Sequence, residues 1–244
     1  MTTQGTALLF RDDAYLRATP ATVIEVNARG GVVLDRTVFY ATSGGQPGDS
    51  GRLVRDGAPA LSIATAIHAD DKAGIVHVPG ENQDLPAVGE NVAAEIDWTR
   101  RNKLMRMHTA LHLLTVVFPF PITGAAVGED KGRIDFDMPE VPGDRDALEA
   151  ALNDMVAADY PVVAEWISED ALAAQPDLVK SLRVSPPRGQ GLVRLIRIGT
   201  ADNTVDLQPC GGTHVASTAE IGKLALGKIE KKGRENRRVS VLFA

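Results

Sequence analysis

A chain of 244 residues with 44% apolar and 24% charged side chains has room for one large domain or two modest ones, each burying its own core. Its formal net charge of −6 argues against a protein that coats nucleic acid by bulk electrostatics. No run approaches the roughly 20 apolar residues of a membrane span, and "MTTQGTALLFRDDAY" lacks the basic start and long apolar core of a signal peptide. With a single cysteine, the expected setting is the reducing cytoplasm.

Residues 1–93 read as a small β-barrel domain. "ATVIEVNARGGVVLDRTVFY" holds two apolar runs separated by a glycine turn, and "GRLVRDGAPALSIATAIHADDKAGIVHV" continues with short strands between turns. His68 and His77 fall in this strand-like text, where structural or exposed roles are expected. The composition changes after "GENQDLPAVGE", which places a boundary near residue 93. The second domain, 94–244, opens with a helix from about Asp97 to Val117, capped by Asp97 and stopped by Pro119. Leu104, Met107, Leu111 and Leu114 recur at spacings of three and four and predict one apolar stripe; Met105 and Met107 are read as core filling. A strand or hairpin in "AAVGEDKGRIDFDM", a helix around residues 145–158, a strand in "YPVVAEWIS" and a short helix before Pro176 follow. "GLVRLIRIG", "NTVDLQ", "KLALGKIEKKG" and "RRVSVLFA" alternate as antiparallel strands do. The expected fold class is α+β: a small barrel, then an α+β domain with an antiparallel sheet and a long helix.

His108 and His112 lie on that helix as "HTALH". Residues four apart leave the same helical face, so both imidazoles can converge on one ion. Such pairs also arise by chance. "QPCGGTHV" adds Cys210 and His214, so that four of the six histidines and cysteines sit in two tight pairs, and a thiolate with three imidazoles suits zinc. Proline and two glycines make "PCGGTH" a turn at a strand end, where Gly211 and Gly212 let the backbone wrap an ion. About a hundred residues separate the pairs, so the metal staples a helix to a distant turn. The glutamate base of the H-E-x-x-H proteases is missing, as are the deaminase, G-x-S-x-G, P-loop and dinucleotide signatures, so no nucleotide cofactor is expected.

"HTALHLL", "GRIDFD", "QPCGGTHV" and "IGKLALGKIEKKGRENRRVSV" resemble the editing domain of alanyl-tRNA synthetase and its freestanding relatives, the AlaX alanyl-tRNA editing proteins. "VVLDRTVFYATSGGQPGDSG" resembles the Gly-rich segment in the β-barrel that precedes this domain in the longer AlaX proteins. The resemblance covers nearly the whole chain. It implies hydrolysis, independent of ATP, of the ester joining serine or glycine to the terminal adenosine of alanine tRNA. With no room for an aminoacylation domain, the chain would act in trans. A second site of this kind is needed because a pocket for alanine discriminates against slightly larger or smaller neighbours by only about 1–3 kcal/mol. The resemblance carries zinc ligation to His108, His112, Cys210 and His214, and places the loop with Gly44, Gly45 and Gln46 over the editing pocket. It departs at Leu111, where synthetase-fused domains often have threonine, so the choice between serine and glycine is not carried over.

Four protein ligands close a tetrahedron, whereas hydrolytic zinc usually keeps a water; the ion either expands its shell, holds one ligand weakly, or orders the pocket. Thr109 and Thr213 are the hydroxyls nearest the ligands, placed either to bond the substrate or to support the ligands. Two basic clusters stand out in an acidic chain. Arg100, Arg101, Lys103 and Arg106 precede the histidines, and Lys231, Lys232, Arg234, Arg237 and Arg238 lie near the carboxyl end; both are candidates for tRNA phosphates or for plain solubility. The other readings are a zinc-stapled RNA-binding module without catalysis and an editor of another tRNA, such as threonine's. Oligomeric state is not legible.

Overall fold

The structure is a computed structural model describing residues 5–70, 74–182 and 191–244; the first four residues of the amino-terminal stretch lie outside them. The chain divides into two compact units, Met1–Asn102 and Lys103–Ala244.

The first unit contains β1 (Ala7–Leu8), β2 (Ala18–Val26), β3 (Val32–Leu34), β4 (Arg36–Thr37), β5 (Gly51–Arg55), β6 (Ala58–His68), β7 (Ile75–Pro79) and β8 (Asn91–Ile96). Six of these close a barrel in the order β2-β3-β7-β6-β5-β8, which leaves those strands no free edge. Strand periodicity builds the interior: Val92, Ala94 and Ile96 of β8 are buried, and Val23, Leu34, Phe39, Leu53, Leu61, Ile63 and Ile75 complete the core. His77 is structural. Its Nδ1 lies 3.0 Å from the Val32 carbonyl and its Nε2 2.8 Å from Thr37 Oγ1, and burial lowers its pKa to about 4. His68 is exposed.

Between β4 and β5 the chain folds inward. Gly44 (φ 55°) and Gly45 (φ 85°) form a two-residue turn closed by paired bonds between Ser43 and Gln46, a left-handed geometry that glycine adopts without a Cβ penalty. Further on, a Cβ at Gly48 would meet the Ala66 carbonyl oxygen at 2.0 Å, so only glycine lets the loop lie against β6. Asp49 is buried beside it and receives Arg101.

α1 (Trp98–Val117) begins as expected, with Asp97 Oδ1 accepting from the Arg100 amide at 3.1 Å. The division between units falls inside this helix rather than at residue 93. β8 is a barrel strand, and the Arg101 guanidinium ties the first helical turn into the first unit through Asp49 and the carbonyls of Ala14 (3.0 Å) and Val38 (2.6 Å).

The second unit adds β9 (Ile122–Ala126), β10 (Lys131–Asp137), α2 (Arg145–Ala157), β11 (Val162–Ser168), α3 (Glu169–Ala173), β12 (Leu192–Gly199), β13 (Thr204–Pro209), β14 (Leu224–Leu226), β15 (Glu230–Lys231) and β16 (Asn236–Phe243). The single antiparallel sheet expected from alternation resolves into two. One runs β14-β16-β10-β9 with β15 also on β16; the other is β11-β12-β13. The segment of α1 in this unit packs against both. A Cβ at Gly132 of β10 would meet Met107 Sδ at 2.7 Å and Leu111 Cδ2 at 3.1 Å, while His112 reaches Asp206 of β13. The expected single stripe is therefore too narrow: Met105, Ala110 and Leu113 are buried as fully as Leu104 and Leu114, the signature of a helix covered on all sides. Among the described residues, no helix is long and apolar enough to cross a membrane.

Candidate metal centre

Helical spacing places His108 and His112 on one face of α1, and β13 delivers Cys210 and His214 at its carboxyl end. The four donor atoms lie within 4.8 Å of one another. Cys210 Sγ is 3.5 Å from His108 Nε2 and 3.3 Å from His214 Nε2. A tetrahedral zinc with N at 2.0–2.1 Å and S at 2.3 Å has ligand-to-ligand edges of about 3.3–3.6 Å, so these two edges already match an ion's requirement. The histidines are buried and Cys210 is half-buried.

The turn is held from β12. Arg194 Nη1 donates to the carbonyls of Cys210 (3.0 Å) and Gly212 (2.9 Å), and the Gly212 amide points at Sγ at 3.4 Å. A Cβ at Gly211 would meet no heavy atom within 4 Å, so this glycine borders open space.

Each of two imidazoles is oriented by its second nitrogen. Thr109 Oγ1 donates to the Met105 carbonyl (3.0 Å); having spent its proton, it accepts from His214 Nδ1 (3.1 Å) and from the Val215 amide (3.3 Å). Thr109 thus orients His214 and is fully buried. His112 Nδ1 donates to Asp206 Oδ2 at 2.9 Å; that carboxylate also accepts from Gln208 Nε2 (2.8 Å) and Lys180 Nζ (2.5 Å), and Lys180 in turn reaches Thr115 Oγ1 (3.0 Å). Both arrangements leave Nε2 facing the cluster.

The charges follow from this packing. Burial opposes ionisation of Asp206, but His112 and Lys180 hold its pKa near 2. Burial likewise opposes charging His112, and its bond to Asp206 with help from Cys210 raises it to about 9. His214, desolvated and beside His108, falls to about 3. Burial would raise the Cys210 thiol, yet His108 and His214 outweigh it and bring it well below the ordinary thiol value, favouring the thiolate that metals bind.

Other expected site residues lie elsewhere. Thr213 is buried next to the ligand turn. Gly44, Gly45 and the buried Gln46 belong to the first unit. Of the first basic cluster, Arg101 is corrected: it is fully buried and neutralised by Asp49, so its guanidinium cannot meet a phosphate in this fold. Arg100 donates to the Gly48 carbonyl, Lys103 pairs with Asp130, and Arg106 binds the Ile221 carbonyl and covers the Phe243 ring. In the second cluster Arg238 is held by both oxygens of Asp135, and Arg237 by the carbonyls of Gly233, Asn236 and Pro139. Lys231 and Arg234 are exposed, and exposed Lys232 sits 2.6 Å from Glu230; these three form the cationic tip around the β15–β16 turn.

The residues that sequence reasoning missed are Asp206, Gln208, Lys180 and Arg194. A signal existed for two: Asp206 and Gln208 precede Cys210 by four and two on the same strand face, so a buried polar row ending at Cys210 was readable from period-two spacing.

Comparison with known proteins gives a consistent picture. Residues 193–240, which include Cys210 and His214, match the family model "Threonyl and Alanyl tRNA synthetase second additional domain", and residues 10–100 match "tRNA synthetases class II (A)". The alanyl-tRNA editing protein AlaX-M of Methanosarcina acetivorans is 35% identical, over 96% of this chain and 97% of its own length. AlaX-L of Pyrococcus horikoshii is 32% identical over 93% of this chain and 55% of its own. The alanine–tRNA ligase of Pyrobaculum calidifontis is 34% identical over 91% of this chain, which spans 25% of that enzyme.

Proposed function

Because this chain belongs to the AlaX family of alanyl-tRNA editing proteins, we propose that it hydrolyses misacylated alanine tRNA in trans, cleaving the ester between serine or glycine and the terminal adenosine. The observation that carries this reading is the convergence of His108, His112, Cys210 and His214 within 4.8 Å. Three imidazoles and a thiolate fit zinc, which when bound supplies a positive centre able to polarise an ester carbonyl or a water.

The chain's own residues prepare the site. Asp206 and Thr109 hold the outer nitrogens of His112 and His214, so the inner nitrogens of both point at the cluster. Arg194 fixes the turn. Since four protein donors complete a tetrahedron, the substrate enters beside half-buried Cys210, where Gly211 leaves room for close approach. Lys231, Lys232 and Arg234 offer charge to tRNA phosphates.

Deacylation of serine-, glycine- and alanine-charged alanine tRNA by the parent and by His108→Ala tests the proposal. The parent is expected to release serine or glycine and to spare alanine, and the variant to lose at least a hundredfold in rate. A parent that turns over none of these substrates points instead to a zinc-stapled RNA-binding module. A second reading, editing of threonine tRNA, is favoured by the shared threonyl and alanyl family model, and cleavage of serine-charged threonine tRNA in preference would establish it.

A further inference from the structure

The three-stranded sheet lays out its residues in rows across β11, β12 and β13. Val162, Ile198 and Asp206 make one row; Ala164, Ile196 and Gln208 the next. The following pair is Trp166 opposite Arg194, and the Cys210 amide donates to the Arg194 carbonyl at 3.1 Å, so Cys210 closes that row. Residues directly opposite share a face. This is the face that turns Asp206 to His112 and Cys210 to His108.

Exposure changes sharply along it. On β12 the face runs from buried Ile198 and Ile196 to Leu192, which is 54% exposed, and on β11 from buried Val162 through exposed Ala164 to Trp166, which is 46% exposed. The face therefore opens to solvent toward the row that carries Cys210, and does so first along β11. Two strand spacings put the Trp166 backbone about 10 Å from that of Cys210, a separation of the order of one nucleoside.

We propose that Trp166 is a stacking platform for the terminal base of a single-stranded RNA 3′ end, holding it while the attached ester reaches the four-donor cluster. This rests on reading that cluster as the ester-cleaving centre. Aromatic faces, with neighbouring arginines, are how proteins grip splayed single-stranded bases whatever their pairing partner. Beside Trp166 on its own face the exposed apolar side chains among the described residues of this sheet are Leu192 and the small Ala164, while exposed Val163 lies on the opposite face of β11.

A double-mutant cycle tests it, with parent, Trp166→Ala and Trp166→Phe each binding an uncharged acceptor microhelix that ends in CCA or lacks the terminal adenosine. Trp166→Ala is expected to weaken binding of the CCA form about ten- to hundredfold, Trp166→Phe to recover to within about threefold, and removal of the adenosine to cost Trp166→Ala almost nothing further. In deacylation assays Trp166→Ala should raise KM while kcat changes by less than about threefold. Equal losses in parent and Trp166→Ala on removing the adenosine would overturn the proposal, as would a change in self-association by sedimentation with RNA binding intact. Failure of the stacking proposal leaves deacylation by the parent unaffected, whereas failure of the functional reading appears as a parent that cleaves nothing while the binding cycle still reports on the indole.

Discussion

Asp206 is the place where a small change should be read most directly in metal affinity. Its buried carboxylate serves three donors: His112 Nδ1 at 2.9 Å, Gln208 Nε2 at 2.8 Å and Lys180 Nζ at 2.5 Å. In Asp206→Asn the amide oxygen can keep the His112 and Gln208 side, but the amino group then faces the Lys180 ammonium. That cation is partly exposed and can turn to solvent, so the main loss is that a charge-assisted bond to His112 becomes a neutral one of about half the strength. Asp206→Ala removes every acceptor and frees the imidazole to rotate or change tautomer. Loss of such an outer partner typically costs ten- to a hundredfold in metal affinity. We expect Asp206→Asn near tenfold, about 1.4 kcal/mol, and Asp206→Ala near a hundredfold, about 2.7 kcal/mol. Competition for zinc against a chromophoric chelator measures the constant, and the visible bands of the cobalt-substituted protein report whether a tetrahedral site still forms. If a folded Asp206→Ala binds zinc within twofold of the parent, Asp206 does not orient His112.

Two further outcomes concern the first unit. His77 has a folded pKa near 4 against 6.5 unfolded, so its contribution is present above pH 6.5 and is lost as pH falls toward 4. The loss is about 3 kcal/mol, because burial disfavours the charged imidazolium; denaturant unfolding of the parent and His77→Gln across pH 7 to 4 should show that slope in the parent only. Arg101→Met leaves Asp49 buried without its cation and should cost about 3–5 kcal/mol in urea unfolding, whereas the double variant Arg101→Met, Asp49→Leu should recover much of it; a single-variant cost below about 1 kcal/mol would contradict the buried pairing.

The two pairs, His108 with His112 and Cys210 with His214, were legible because their information is local: i and i+4 on a helix, and a short glycine turn. The helix limits were legible for the same reason, through Asp97 and Pro119. What depends on which element lies against which was not. Arg101 looked like its basic neighbours Arg100 and Lys103, which are only half-buried, yet it precedes His108 by two helical turns on one stripe, and that phase buries it. The two sheets could not be separated by alternation, since strand pairing is non-local. Trp166 and Arg194 join Cys210 only through register across three strands.

Gly132 has a reach beyond its own strand. Its missing side chain is occupied by Met107 and Leu111, the residues immediately before His108 and His112. Filling that notch would push the helix off the strand and shift the two imidazoles, which leave the rod about 100° round from Met107 and Leu111. Lineages that acquire bulk in this groove must shave position 107 or 111 in step, or their chelating geometry drifts.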